Sequence, residues 1–162
     1  MYFITICTAF RECLLGNIVS EQMSLSDTGQ IVLQEWEKSF AIRTELFCDI
    51  FVIMPNHIHA IVRIKENPEE VSSSLYVETH GRESLPNNVG VAYRAPKSIS
   101  SFVAGFKSSA TKQINEFRKT PGRNVWQTRF YDRIIRDEPE YQKIYWYIRN
   151  NIRNWKEDKY FG

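Results

Sequence analysis

One stretch, Met54-Pro55-Asn56-His57-Ile58-His59-Ala60-Ile61-Val62, does more than any other to limit what this chain can fold into. Two of the chain's three histidines lie in it, one residue apart. Pro55-Asn56 is turn chemistry. Residues 45–53 before it are apolar and rich in β-formers, and residues 58–64 after it are apolar and β-branched. The pattern predicts a hairpin whose second strand starts at the histidines. Side chains alternate faces along a strand, so His57 and His59 point one way and Ile58 the other. The rise per residue sets their Cα atoms roughly 6–7 Å apart, which lets both imidazoles converge on one cation. Positions i and i+2 of a helix face apart and offer no such pairing.

A single histidine on a strand usually just fills space beside the sheet. Two on one face, in a chain so poor in histidine, favour a metal. The spacing alone names no reaction, because histidine triad hydrolases and cupins also carry a His-x-His strand. The position where a third triad histidine would fall is Ile61, which argues against that family. With 162 residues the chain is long enough for one domain, 1–162, with a proper core. The net charge of +2 diagnoses no partner, so the distribution of charge matters more. Cys7, Cys13 and Cys48 are odd in number and lack metal spacing, which predicts buried thiols in a reduced, cytoplasmic protein. No apolar run is long enough to span a bilayer, and no signal peptide precedes Tyr2-Phe3-Ile4-Thr5-Ile6.

Taken in order, residues 2–8 read as a strand, and residues 13–20 as a short second strand around Gly16. Ser24-Leu25-Ser26-Asp27 offers helix caps, and Ile31, Leu33, Trp36 and Phe40 give an imperfect helical stripe to about Ser39. Residues 66–97 change character, with Asn67-Pro68, Ser72-Ser73-Ser74 and Pro86-Asn87-Asn88 marking a long internal loop, functional or disordered. His80 lies in it and is given no role. From Ser98, Ile99, Phe102, Val103, Phe106, Ala110, Ile114 and Phe117 step by threes and fours, a long amphipathic helix ending before Pro121-Gly122. Residues 125–135 read as extended, an edge strand. Between Lys97 and Arg136 stand nine Lys or Arg against two acids, interleaved with Trp126, Phe130 and Tyr131. A charge run is usually only a solvated face, but this mixture suits a single nucleic-acid strand, which wants phosphate neutralisation and stacking. The last helix opens at Asp137-Glu138-Pro139-Glu140. Its expected buried stripe is Tyr141, Ile144, Tyr145, Ile148, Ile152 and Trp155, with Tyr147 and Asn151 one turn apart beside it.

Together the pieces resemble the single-tyrosine HUH transposases, most closely the REP-associated tyrosine transposases. The resemblance is carried by the histidine stretch, Gly105-Phe106-Lys107-Ser108, Val125-Trp126-Gln127, the run Phe130-Tyr131-Asp132-Arg133-Ile134-Ile135-Arg136-Asp137-Glu138, and Tyr147-Ile148-Arg149-Asn150-Asn151. These stand in family order and span most of the chain. The resemblance implies an α+β fold, a ferredoxin-like or RRM-like sandwich with a central antiparallel sheet, helices on one face, and a C-terminal helix carrying the tyrosine. It implies that Tyr147 is the nucleophile and that His57, His59 and Asn151 hold a divalent metal. Imidazole chemistry favours zinc or manganese; the family relies on magnesium or manganese, and the expectation follows the family. Two departures stand out: Ile152 where members commonly have proline, and a first strand at the very start where many carry a basic segment.

The activity implied is cleavage and rejoining of single-stranded DNA, folded into hairpins, through a 5′-phosphotyrosine. The partner is that DNA, with a homodimer left open and no membrane, and the protein is expected in the cytoplasm, on the nucleoid when bound. Lys107, Lys112, Arg123, Trp126, Arg129, Tyr131 and Arg133 are the candidate DNA contacts, Trp126 and Tyr131 as stacking rings. Three rivals are a domesticated DNA-binding protein that no longer cleaves, a metal-dependent hydrolase using water, and an RNA-binding module. The last lacks the usual stacking ring on its strand, since histidines stand there.

Overall fold

The computed structural model describes residues 1–65 and 98–161, so the expectations for 66–97, His80 included, lie outside the described residues. In chain order the elements are β1 (Tyr2–Cys7), β2 (Gly16–Val19), β3 (Gln22–Leu25), α1 (Asp27–Ile42), β4 (Leu46–Met54), β5 (His57–Ile64), α2 (Ile99–Arg118), β6 (Tyr131–Ile134) and α3 (Glu138–Asn150). Short 3-10 turns cover Ala9–Arg11 and Trp155–Glu157. β4, β5, β1 and β6 form one antiparallel sheet in that order, and β2 and β3 form a separate hairpin.

The expected hairpin turns at Pro55-Asn56, with β5 beginning at His57. Every residue from His57 to Val62 is buried, because β5 is internal and both its faces are covered. Ile58, Ala60 and Val62 join Ile4 and Ile6 in the larger core, against Trp36 of α1 and Phe102 and Phe106 of α2. The Trp36 and Phe106 rings meet edge to face at 5.1 Å. The opposite face carries a smaller core of Phe3, Ile61, Ile135 and Ile148. The α+β class and the antiparallel sheet are as expected, but the helices do not share one face. α1 and α2 cover one side and α3 the other. The two-residue period of β5 explains this: its odd positions, His57, His59 and Ile61, need a cover of their own.

Each helix starts on a side-chain cap. Ser26 Oγ accepts from Gly29 N at 3.1 Å, Ser98 Oγ from Ser101 N at 3.1 Å, and Asp137 Oδ1 from Glu140 N at 2.9 Å. Three sequence readings need correction. α1 runs to Ile42 rather than Ser39. Of the extended stretch 125–135 only Tyr131–Ile134 is a strand, while Trp126 makes an isolated bridge to Thr8. The last helix stops at Asn150, so Ile152 and Trp155 leave its stripe; Ile148 is its one buried residue. The thiols also differ from expectation. Cys7 is buried, burial pushes the Cys48 thiol up to about 12, and Cys13 is exposed. No described helix is long and apolar enough to cross a membrane.

Gly29 lies where α1 crosses close to Leu15. A Cβ there would sit 2.0 Å from the Leu15 carbonyl oxygen, a backbone atom that cannot swing aside. Helix propensity alone would make Gly29→Ala stabilising by about 1 kcal/mol. The close approach reverses the sign. Gly29→Ala should lower stability by about 1–3 kcal/mol, read as a melting-temperature drop of several degrees by circular dichroism.

Candidate active site

β1 and β5 pair so that Thr5 stands opposite His59 and Cys7 opposite His57. His57 and His59 are both fully buried, with ring centroids 4.3 Å apart. α3 crosses this face and brings Tyr147, whose hydroxyl lies 3.1 Å from His59 Nε2. Tyr147 also donates to Asp158 Oδ2 at 3.1 Å, and Asn151 Nδ2 donates to the same oxygen at 2.6 Å. The other Asp158 oxygen accepts from Tyr160 N at 2.7 Å.

Asn56 settles how His57 is protonated. Its Nδ2 donates to the carbonyls of Arg11 at 3.2 Å and Tyr160 at 2.8 Å. The amide oxygen therefore faces His57 Nδ1, at 2.8 Å, and must accept from it. His57 carries its proton on Nδ1 and keeps a lone pair on Nε2. That Nε2 is buried with no hydrogen-bond partner among the described residues, and so is Asn151 Oδ1. Asn151 cannot simply be turned over, because Asp158 needs the amide's donor. His59 is held by Thr5 Oγ1, 2.8 Å from Nδ1. Burial lowers the His57 pKa to about 4, the Asp158 charge opposing and Lys159 and Arg11 adding to the fall. Burial also lowers His59 well below its usual value, with His57 and Lys159 adding to it. Both rings are neutral at pH 7, the form that binds metals. The Tyr147 phenol moves the other way. Burial raises its pKa, and the charge of Asp158 raises it further.

His57, His59 and Asp158 each offer a ligand atom, all within 4.8 Å of one another. A cation with bonds near 2.1 Å separates its ligands by roughly 3–4.2 Å, so a small inward movement closes the set. Two neutral nitrogens, one carboxylate and an orphaned amide oxygen fit a divalent ion. Asp158 is the residue that the sequence did not single out. It follows Tyr147 by eleven positions in an irregular tail, where no periodicity marks it.

The expected DNA contacts separate into groups. Lys107, Trp126 and Arg129 line one groove of about 620 Å³, between α2 and residues 124–130. Lys107 Nζ donates to the carbonyls of Gln127 and Thr128, at 2.6 and 3.2 Å. Trp126 is only 7% exposed and packs its ring 5.7 Å from Phe106, so it cannot stack on a base as expected. Tyr131 is 45% exposed on edge strand β6. Arg133 pairs with Glu140 and lines a second groove, of about 610 Å³, with Arg136, Lys143 and Tyr147 itself. Arg123 forms an exposed pair with Glu12 at 3.8 Å. Lys112 is exposed on α2, outside both grooves.

The fold is that of a single-tyrosine transposase. A solved REP-associated tyrosine transposase bound to a REP hairpin overlays on 96% of this chain and 67% of its own, with a TM-score of 0.61 at 19% identity. The chain belongs to one family with an uncharacterised protein of Haemophilus influenzae, 38% identical over 160 residues that cover 99% of this chain and 84% of the other. No protein-family model matches it.

Ligands that bind only the folded chain stabilise it by mass action. Mn²⁺ at about 100 times its dissociation constant should add about 2.7 kcal/mol, a melting-temperature rise of roughly 5–10 °C. Asp158→Ala and His57→Ala should each remove most of that rise in a thermal-shift titration. An unchanged melting temperature in the unsubstituted protein would mean the cluster holds no cation.

Proposed function

We propose that the chain is a metal-dependent single-stranded DNA transposase, which cuts and rejoins a strand through a covalent bond to Tyr147. The observation that carries this reading is the 3.1 Å separation of the Tyr147 hydroxyl and His59 Nε2, between helix and sheet. His57, His59 and Asp158, with Asn151 Oδ1, would hold the ion, manganese or magnesium, since the carboxylate and amide oxygens suit those ions better than imidazoles alone do. Bound there, a divalent cation supplies Lewis-acid polarisation of a non-bridging phosphate oxygen.

The chain's own groups do the rest. Tyr147 Oη attacks phosphorus, forming the phenol–phosphorus bond as the bond to the 3′-oxygen breaks. The phenol proton passes to Asp158 Oδ2, 3.1 Å away, and the departing 3′-oxygen takes a proton from solvent. The product is a 5′-phosphotyrosine and a free 3′-hydroxyl. Attack by a 3′-hydroxyl on that ester reverses the step and conserves the bond energy, so rejoining needs no ATP. Asn151 holds Asp158 against the phenol through its 2.6 Å bond. Arg136 and Lys143, in the groove that reaches Tyr147, would neutralise phosphates beside the scissile one. That the structurally similar transposase was solved with a REP hairpin supports a hairpin substrate here. A cytoplasmic, nucleoid-associated place follows from that substrate.

A labelled hairpin oligonucleotide incubated with the protein and Mn²⁺ should give a slow-migrating adduct on a denaturing gel. Tyr147→Phe should abolish it. Tyr145→Phe should keep it, because Tyr145 packs by the Phe3 and Ile61 core. Strand cleavage that survives Tyr147→Phe would instead identify a hydrolase using water. Single-strand affinity should also fall steeply with salt, as counterion release requires; filter binding that stays flat from 50 to 200 mM would remove the phosphate contacts from the account.

A further inference from the structure

Phe10 has a backbone that bulky residues avoid and a ring placed where water is. Its φ is +54° and its ψ 14°, and Arg11 follows at φ +57°. Left-handed backbone costs an L-residue conformational energy, and outliers of this kind gather at functional sites when their surroundings hold them. The Phe10 side chain gains nothing in return from packing, since the residue is 91% exposed.

The loop around it is firmly tied. Ala9 N donates to Val125 O at 2.9 Å, and the single Thr8 Oγ1 proton is shared between the carbonyls of Glu12 and Asn56, at 2.8 and 3.0 Å. Asn56, which fixes the His57 tautomer, donates to Arg11 O at 3.2 Å. The residues on either side of Phe10 are thus tied, Ala9 to Val125 of the larger groove and Arg11 to the Asn56 that holds His57. Cations surround the place. Arg11 Nη1 donates to Lys159 O at 3.4 Å and its guanidinium lies 5.5 Å over the Tyr160 ring. Lys159 Nζ lies 4.8 Å from the centre of the same Tyr160 ring, so two cations flank it.

An unpaired nucleotide asks for this combination: a ring for the base and cations for its phosphate. We propose that Phe10 is the stacking platform for an unpaired base of the DNA strand that runs from the groove of residues 124–130 to Tyr147. A lone ring flanked by exposed Arg11 and Glu12 is too small and too charged to be a dimer patch. The inference rests on the proposed transposase reading, and the test separates the two.

The full-length protein is titrated with a hairpin oligonucleotide carrying 2-aminopurine in its single-stranded flank, and the fluorescence gives both affinity and stacking. Phe10→Ala and Phe10→Gly should weaken binding roughly 5- to 150-fold, the range of one lost stacking contact, and relieve the quench. Phe10→Trp should keep both. Phe10→Gly should also melt higher than the unsubstituted protein, since glycine adopts φ +54° freely. Loss of affinity together with gained stability would mark a residue strained for binding. Unchanged affinity in Phe10→Ala, with the unsubstituted protein binding and forming its adduct, overturns the inference and leaves the transposase reading standing. A change in oligomeric state without a change in affinity also overturns it. Failure of the unsubstituted protein to bind single strands overturns both.

Discussion

Asn56 spends both protons of its amide on the carbonyls of Arg11 and Tyr160, and that leaves its oxygen for His57. One side chain in the hairpin turn thus joins three distant parts of the chain: the loop after β1, the head of β5 and the C-terminal tail. It orients the imidazole, fixes the tautomer and leaves Nε2 free to bind. Burying two imidazoles and a carboxylate is costly unless each has a partner. Among the described residues every polar atom of the three is bonded except His57 Nε2, and the neighbouring Asn151 Oδ1 is likewise without a partner. The rest of the site is arranged about that asymmetry.

The sheet supplies rigidity. Thr5 braces His59 from the next strand, and the register that aligns them is set by six consecutive β1–β5 pairs. α3 supplies the phenol, held on the sheet by Ile148 and the aromatic neighbours of Phe3; the Phe3 and Tyr147 rings meet edge to face at 6.3 Å. The tail supplies Asp158 and closes the site with Tyr160, whose ring lies 4.7 Å from that of His57. A stiff sheet, one helix and an irregular strap thus place four polar groups together, as preorganised electrostatics demands.

Much of this was legible in the chain. The period-2 pattern around Pro55-Asn56 gave the hairpin, and the same period put His57 and His59 on one face. Tyr147 and Asn151, one turn apart, both reach Asp158 because α3 and its first residue beyond stay helical in backbone. What was missed lies where tertiary contact replaces local pattern. Asp158 is positioned by hydrogen bonds to Tyr147, Asn151 and Tyr160, none of them implied by spacing. β3 escaped because its turn, Ser20-Glu21, adopts left-handed backbone at both residues without glycine or asparagine. Trp126 was misread because an aromatic ring among basic residues looks the same in sequence whether it faces a strand of DNA or, as here, Phe106.

The most direct test is anomalous diffraction from crystals of the protein grown with Mn²⁺. The account predicts a single strong peak bonded to His57 Nε2 and His59 Nε2, with an oxygen of Asp158 or Asn151 beside it and the Tyr147 hydroxyl adjacent. A peak that avoids both imidazoles, or none at saturating manganese, would contradict it.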